Sequence, residues 1–313
     1  MTARKIFFLE KKKQKTSSDK SFLVLFCKKE LLPLPALAWL FCFLIMPLAL
    51  MAYVSTLQRG PMGGVLWHAH TADAYIQFLF ERDLDDSLVL NTDYLHIFAR
   101  SILLAALTTL ITLAVGFPTA LWMAFQPPKR RTILIFLVTV PFWTNILVRT
   151  YAWMLLLRTG GVIDSALTKI GIPHDPLQIL YTPFATGIGL TYSFLPYMIL
   201  PIYVSLEKLD PRLIEAAFDL GATRLRALTR IILPLATPGI AGGLILVFVP
   251  GLGSFISPEL LGGAKSLMIG SLIQQQFGQS RNWPFGAALA FVLLALVLLA
   301  LYADNRRRRA AAA

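Results

Sequence analysis

Charged side chains are scarce in this sequence. Asp, Glu, Lys and Arg make up 15% of its 313 residues, whereas 56% of the residues are hydrophobic. Soluble domains carry about 25% charged residues, so the deficit predicts a membrane protein. The net charge of +12 does not indicate nucleic-acid binding, because the basic residues stand in short runs beside apolar segments, as the cytoplasmic flanks of membrane helices do.

Cysteine and histidine are also rare, which argues against a metal site. Two cysteines, Cys27 and Cys42, have a spacing that matches no metal motif, and one helical segment does not normally bridge them. His68 and His70 form an HxH pair without a further ligand nearby, so we interpret them as ordinary loop residues. We predict no metal in this chain.

Six apolar segments are long enough to cross about 30 Å of hydrocarbon, so the sequence predicts an all-α membrane protein with six transmembrane helices. The segments lie near residues 34–57, 98–125, 132–157, 185–206, 235–257 and 285–303. The third contains Pro141, Asn145 and Arg149. We expect this segment to kink or to reach its outer interface near Arg149, whose side chain either faces Asn145 and helix carbonyls or docks an external binding protein. The fifth is glycine-rich and interrupted by Pro250, which favours close helix contacts and a moving gate.

The distribution of Lys and Arg predicts the orientation. With the N-terminus inside, 21 of the 29 basic residues fall in the cytoplasmic parts and six in the outer loops. Cytoplasmic loops carry this excess of positive charge. We therefore predict that both termini are cytoplasmic.

Three regions follow from this topology. They are a basic N-terminal tail (1–32), a six-span membrane domain (33–305) that contains a cytoplasmic loop (207–234), and a basic C-terminal tail (306–313). The first tail lacks a small-residue cleavage site, so we predict that it is not a signal peptide. The first outer loop carries an acidic run, which is a solvated surface or attracts cations. The run consists of Glu81, Asp83, Asp85 and Asp86.

The loop between the fourth and fifth segments has the chemistry of two short helices. Asp210 followed by Pro211 predicts a helix start, since the carboxylate accepts at the N-cap and proline fits the first turn. Gly221 predicts the helix end, because glycine tolerates the left-handed conformation. A second, basic amphipathic helix is expected from about Thr223 to Leu233, with Pro234 restarting the chain as a membrane helix.

The face of the first short helix leaves two interpretations open. Leu213, Ala217 and Leu220 are expected to share one side, and such a helix fits the groove of a partner. The pair of helices is equally compatible with an interfacial cap on the bundle.

A resemblance favours the first interpretation. The loop resembles the signature of binding-protein-dependent importer permeases: Glu-Ala-Ala, three residues, Gly, nine residues, Ile-x-Leu-Pro. The residues of this chain that match are Glu215, Ala216, Ala217, Gly221, Ile231, Leu233 and Pro234. The resemblance implies that the loop, with Arg224 in its second helix, is a coupling helix that inserts into a separate ATPase subunit.

Four further segments are similar to the spermidine/putrescine permease group, especially its B-type subunit. They are PFWTNILVRTYAW (141–153), PYMILPIYVSLEKLDP (196–211), ELLGGAKSLMIGSLIQQQF (259–277) and RNWPFGAA (281–288). The resemblance implies the type I ABC importer permease fold in the inner membrane, and polyamine import by alternating access. It also implies three partners: an ATPase dimer that binds ATP and Mg, a second C-type permease, and an external substrate-binding protein.

The chain itself is predicted to be neither an ATPase nor another enzyme, and to bind no cofactor. Its nearest match to a phosphate loop, Gly262-Gly263-Ala264-Lys265-Ser266, lacks the GxxxxGK[ST] order. No nucleophile, base and orienting residue form a recognisable catalytic set. No carboxylate or histidine lies at mid-membrane depth, which argues against secondary transport. A channel or secondary carrier without an ATPase remains the alternative from another class.

A polyamine pathway needs aromatic faces and a few carboxylates, and Glu259 is the first candidate. The aromatic candidates in the outer half are Trp143, Tyr151, Tyr192, Tyr197, Phe255 and Trp283. Aromatic residues are also enriched at the interfaces of any membrane protein. Another small amine or an amino acid such as γ-aminobutyrate remains an alternative cargo, and for a zwitterionic or anionic cargo Arg149 becomes a ligand.

Overall fold

The computed structural model describes residues 33–82, 88–170, 178–263 and 267–312. The predicted N-terminal tail, Cys27 and the acidic residues Asp83, Asp85 and Asp86 lie outside the described residues. The helices are α1 (Pro33–Ser55), α2 (Asp73–Ile76), α3 (Asp93–Ala124), α4 (Pro128–Trp143), α5 (Ile146–Leu157), α6 (Val162–Lys169), α7 (Pro183–Glu207), α8 (Pro211–Asp219), α9 (Arg224–Ala227), α10 (Leu233–Gly253), α11 (Ile256–Gly262), α12 (Ile269–Phe277) and α13 (Trp283–Ala312).

Five helical stretches in the described part of the chain are long and apolar enough to cross a membrane. They are Asp93–Ala124, Ile146–Ala166, Pro183–Glu207, Arg224–Gly253 and Trp283–Ala303. The first predicted span is a shorter apolar helix over its fully described part, Trp39–Ser55. It packs along α13.

The third predicted span is not one helix, which corrects the sequence-based boundaries. Helix α4 ends at Trp143, Thr144 is extended, and α5 begins at Ile146. The side chain of Asn145 accepts a hydrogen bond from the backbone N–H of Leu147 at 2.8 Å and so caps the new helix. A capping side chain makes the break a defined junction rather than a gentle kink.

Helices α3, α7 and α10 pack together as the centre of the bundle. Their main cluster includes Met123, Met198, Ile202 and Val247, all of them fully buried. Glycines let α10 come close to α7: a Cβ at Gly243 would lie 2.7 Å from the sulfur of Met198. Close approach through small residues is how membrane helices gain contact without a hydrophobic driving force.

Two short antiparallel hairpins, which the all-α prediction did not include, occupy the first predicted outer loop. Strand β1 (Leu57–Arg59) pairs with β2 (Val65–His70), and β3 (Phe80–Arg82) pairs with β4 (Leu88–Leu90). The first hairpin holds the turn before α13, because the N–H of Gly64 donates to the carbonyl of Arg281 at 2.8 Å. His70 lies on β2, with its ring against that of Tyr53.

Candidate functional site

The loop after α7 folds at its start as its sequence predicts. The Asp210 carboxylate accepts a hydrogen bond from the N–H of Arg212 at 3.0 Å, and Pro211 occupies the first helical position of α8. The predicted helix start is therefore confirmed. This cap fixes where the chain leaves the fourth span and turns across the end of the bundle.

The predicted end of α8 at Gly221 is also confirmed. Gly221 has a φ of +77°, and its N–H donates to the carbonyl of Phe218 at 2.9 Å. The next N–H, of Ala222, donates to Ala217 at 2.9 Å. Left-handed glycine after a helix satisfies the last carbonyls in this way and reverses the chain sharply.

The second half of the loop differs from the prediction. The sequence was expected to form a separate amphipathic helix ending before Pro234, but the helical stretch runs from Arg224 to Gly253 without a break. Residues Leu228–Ile232 form a wide π-helical turn immediately before Pro234. Because proline lacks an N–H and its ring collides with the carbonyl four residues earlier, a wider turn lets the helix continue through it.

The loop exposes large apolar side chains at the predicted cytoplasmic end. Leu213 is 50% exposed and Leu225 is 70% exposed, while Ile214 packs against the main cluster. The prediction that Leu220 shares a face with Ala217 is wrong. Leu220 lies past the end of α8 and is 89% exposed, whereas Ala217 is buried. Exposed apolar residues grouped outside the membrane mark an interaction surface.

The signature residues divide between this surface and its support. Ala217 is buried and Ile231 is half-buried. The exposed members are Glu215, Ala216, Gly221, Arg224, Leu233 and Pro234. The residues that the resemblance singles out therefore lie mostly where a partner can reach them.

An ion pair joins the end of α7 to the start of α4, beside a turn that is predicted to be cytoplasmic. The Arg131 guanidinium lies 3.8 Å from the Glu207 carboxylate, and the Arg131 Nε donates to the carbonyl of Gln126 at 2.7 Å. Both side chains are partly exposed, and such pairs contribute about 0–1 kcal/mol. The pair orients the loop more than it stabilises the protein.

The cap at Asp210 gives a first testable prediction. Replacing Asp210 by Ala removes the N-cap acceptor and should destabilise α8 by about 1 kcal/mol, whereas Asn, an equally good cap, should leave it intact. Hydrogen exchange of residues 211–219, followed by mass spectrometry, measures the change. Equal exchange in the Asp210→Ala and Asp210→Asn variants would show that the cap does not hold this helix.

The predicted aromatic residues of the pathway lie on or beside several different helices. Each of three has a ring partner from outside the predicted set: Trp143 with Phe136, Tyr192 with Trp153, and Tyr197 with Phe142. The centroid distances are 5.7, 5.6 and 4.7 Å respectively. Trp153 and Phe142 were not predicted as pathway residues, although both belong to the quoted segment 141–153.

The other pathway candidates lie on or beside α5, α11 and α13. Tyr151 is exposed on α5, Phe255 precedes α11, and Trp283 begins α13. Glu259 is exposed in the first turn of α11, which follows the end of the fifth span that is predicted to face outward.

Arg149 does not contact Asn145 through its side chain, contrary to the prediction. Its Nε is buried and has no hydrogen-bond partner within the described residues. The Asn145 side-chain oxygen is already engaged in capping α5.

Residues 116–309 match the family model described as "Binding-protein-dependent transport system inner membrane component". The chain is 40% identical over 273 residues to the "Spermidine/putrescine transport system permease protein PotB" of Haemophilus influenzae, covering 86% of this chain and 91% of that protein. It is 39% identical over 271 residues to the protein of the same name from Escherichia coli, covering 86% and 94% of the two chains.

Solved structures share the fold at lower sequence identity. A chain of a bacterial alginate ABC transporter, crystallised with its pentasaccharide-bound periplasmic protein, superposes with a TM-score of 0.66 at 19% identity. The match covers 88% of this chain and 92% of that one. The architecture is thus that of type I ABC importer permeases.

Proposed function

This chain belongs to the binding-protein-dependent transport system inner membrane components, and we propose that it is the permease subunit of an ATP-driven importer of polyamines such as spermidine and putrescine. Multi-pass transport permeases of the inner membrane perform no covalent chemistry. The cargo, the partners and the orientation of the chain are the proposed parts of this function.

The exposed loop after α7 carries the proposal that energy comes from an ATPase. Leu213, Phe218, Leu220 and Leu225 present apolar surface beside arginines, at the end of the bundle where the positive-inside rule places the cytoplasm. Lipid does not contact a surface that lies outside the membrane, so we infer that a protein partner buries these apolar side chains. We assign that partner as the ATPase dimer, which binds the ATP and Mg.

The polyamine cargo is supported by the two permeases of 40% and 39% identity, whose names state spermidine and putrescine transport. A polyamine carries separated ammonium groups on an apolar chain, and aromatic faces attract such cations. The candidates Trp143, Tyr151, Tyr197, Phe255 and Trp283 keep exposed ring surface. They are available to line a pathway once a second permease chain closes it.

We propose two further partners and a cycle. A C-type sister permease completes the pathway, and an external binding protein delivers the cargo to the outer face. Both termini lie in the cytoplasm. ATP binding closes the ATPase dimer, the loop 207–234 moves with it, and the spans rock to open outward; hydrolysis reverses the movement.

Uptake measurements test the cargo. Cells lacking the gene should lose most uptake of labelled spermidine and keep uptake of labelled γ-aminobutyrate, and the plasmid-borne gene should restore spermidine uptake. Other polyamine systems must be deleted from the host beforehand. Unchanged spermidine uptake with lost γ-aminobutyrate uptake would transfer the assignment to an amino-acid importer.

A further inference from the structure

A small polar cavity lies where the outer end of the fifth span meets α11 and α12. Its volume is about 170 Å³. It is lined by Pro258, Glu259, Gly263, Leu267, Ser271, Gln274 and Gln275. Pockets that enclose a whole drug-sized molecule measure about 300–1,000 Å³, so this one accepts a single end group.

The chemistry of the described lining favours a cation. Glu259 is the charged residue of this set, and its carboxylate only accepts hydrogen bonds. Gln274 and Gln275 add amide oxygens from the neighbouring helix. One carboxylate supplies too few anionic ligands for calcium, which takes six to eight oxygens and usually several carboxylates.

Ser271 provides the second, independent observation. The residue is 6% exposed, and its Oγ is buried without a hydrogen-bond partner in the described part of the chain. Buried hydroxyls are normally hydrogen-bonded, since leaving one unsatisfied costs about 1–3 kcal/mol. Ser271 lines the cavity, so rotation of its side chain about the Cα–Cβ bond can present this unengaged hydroxyl to a ligand.

The cavity wall is held firmly in place. A Cβ at Gly270 would overlap the carbonyl of Gly253, so α12 begins pressed against the end of α10. The N–H of Ile269 donates to the Oγ of Ser101 at 2.9 Å, which fixes the same end of α12 to α3. The acceptors on α12 are therefore presented from a helix whose start is fixed to both α10 and α3.

We propose that this cavity, the end-group pocket, binds one primary ammonium group of the cargo at the outer face of the permease, with Glu259, Ser271 and a glutamine amide as acceptors. An ammonium group has three N–H donors, which matches these three kinds of acceptor. The methylene chain continues out of the pocket. This inference rests on the proposed amine cargo and identifies the site on the permease that first binds its charged end.

The test uses the whole complex, isolated through an affinity tag on this chain and reconstituted in liposomes with its binding protein. Glu259→Gln should lower the spermidine uptake rate by about tenfold or more, since bonds to charged groups are the stronger ones, and Ser271→Ala by about threefold. Glu259→Asp, which keeps the charge, should retain part of the rate.

Two controls separate the pocket from general effects. Asp93→Asn removes an acidic charge at the outer start of α3, and Thr112→Val removes a buried hydroxyl that donates to the Thr108 carbonyl at 2.9 Å. Both should transport spermidine at the wild-type rate. Ser271→Ala should leave the thermal stability unchanged or higher, because the lost hydroxyl has no partner in the unliganded protein.

The outcomes are distinct. Wild-type uptake in Glu259→Gln and Ser271→Ala overturns the end-group pocket and leaves the amine importer standing. Weakened docking of the substrate-free binding protein to Glu259→Gln also overturns it, because the carboxylate then serves the partner rather than the cargo. A wild-type complex that moves γ-aminobutyrate but no polyamine overturns the proposed function itself.

Discussion

Replacing Gly221 by Val should release the ATPase from the detergent-solubilised complex. Gly221 has a φ of +77°, and a Cβ added there would meet nothing within 4 Å, so the substitution acts on the backbone and not on packing. The left-handed conformation costs an L-residue about 1–2 kcal/mol, and a β-branched residue is especially strained there. We expect co-purification of the ATPase to fall by about tenfold.

The chain offers a matched control at its predicted outer side. Gly160 has a φ of +68° and is equally open, so Gly160→Val introduces the same strain far from the proposed docking surface and should leave the ATPase bound. Gly221→Asn should retain part of the binding, because Asn tolerates positive φ. Full co-purification with Gly221→Val would contradict the coupling role, and a wild-type chain that never retains an ATPase would favour a carrier that works without one.

Replacing Gly239 by Ala should destabilise the bundle at the crossing of α7 and α10. The added Cβ would overlap the carbonyl of Pro201 and lie 2.5 Å from the Ser205 Oγ and 2.9 Å from the Ile202 Cα. Backbone atoms do not move aside as a flexible side chain does, so overpacking of about 1–3 kcal/mol is expected. The thermal unfolding midpoint of the purified permease should fall accordingly.

Gly242 provides the control for this substitution on the same helix. A Cβ at Gly242 meets only the Pro201 Cβ at 3.9 Å, an ordinary contact. Gly242→Ala should therefore keep or raise the unfolding midpoint, since Ala is the better helix former. Equal midpoints for the two variants would mean that the helices separate easily and that the crossing is not tight.

Local chemistry predicted the parts of the loop that depend on neighbouring residues alone. Asp210 caps the helix and Gly221 ends it because both effects act within a few residues of the chain. Pro234 was misinterpreted for the same reason. Proline fits the first turn of a new helix, but it also fits a helix that widens just before it.

Other features depend on distant parts of the chain. The position of the break at Thr144 and Asn145 was visible only as a proline and a capping residue inside an apolar run. The first hairpin had a signal in Gly60, Gly63 and Gly64, which the all-α prediction did not take into account. The end-group pocket combines Glu259 with Ser271 and the glutamines of α12, whose positions depend on tertiary packing.

The unbroken helix from Arg224 to Gly253 joins only the second half of the loop, after Gly221, to the fifth span. Its 30 residues measure about 45 Å along the axis, more than the hydrocarbon layer is thick. A separate helix hinged at Pro234 would bend when the loop moved, and little of that movement would reach the fifth span. A continuous helix transmits the movement to Gly253, which contacts Gly270 beside the wall of the end-group pocket.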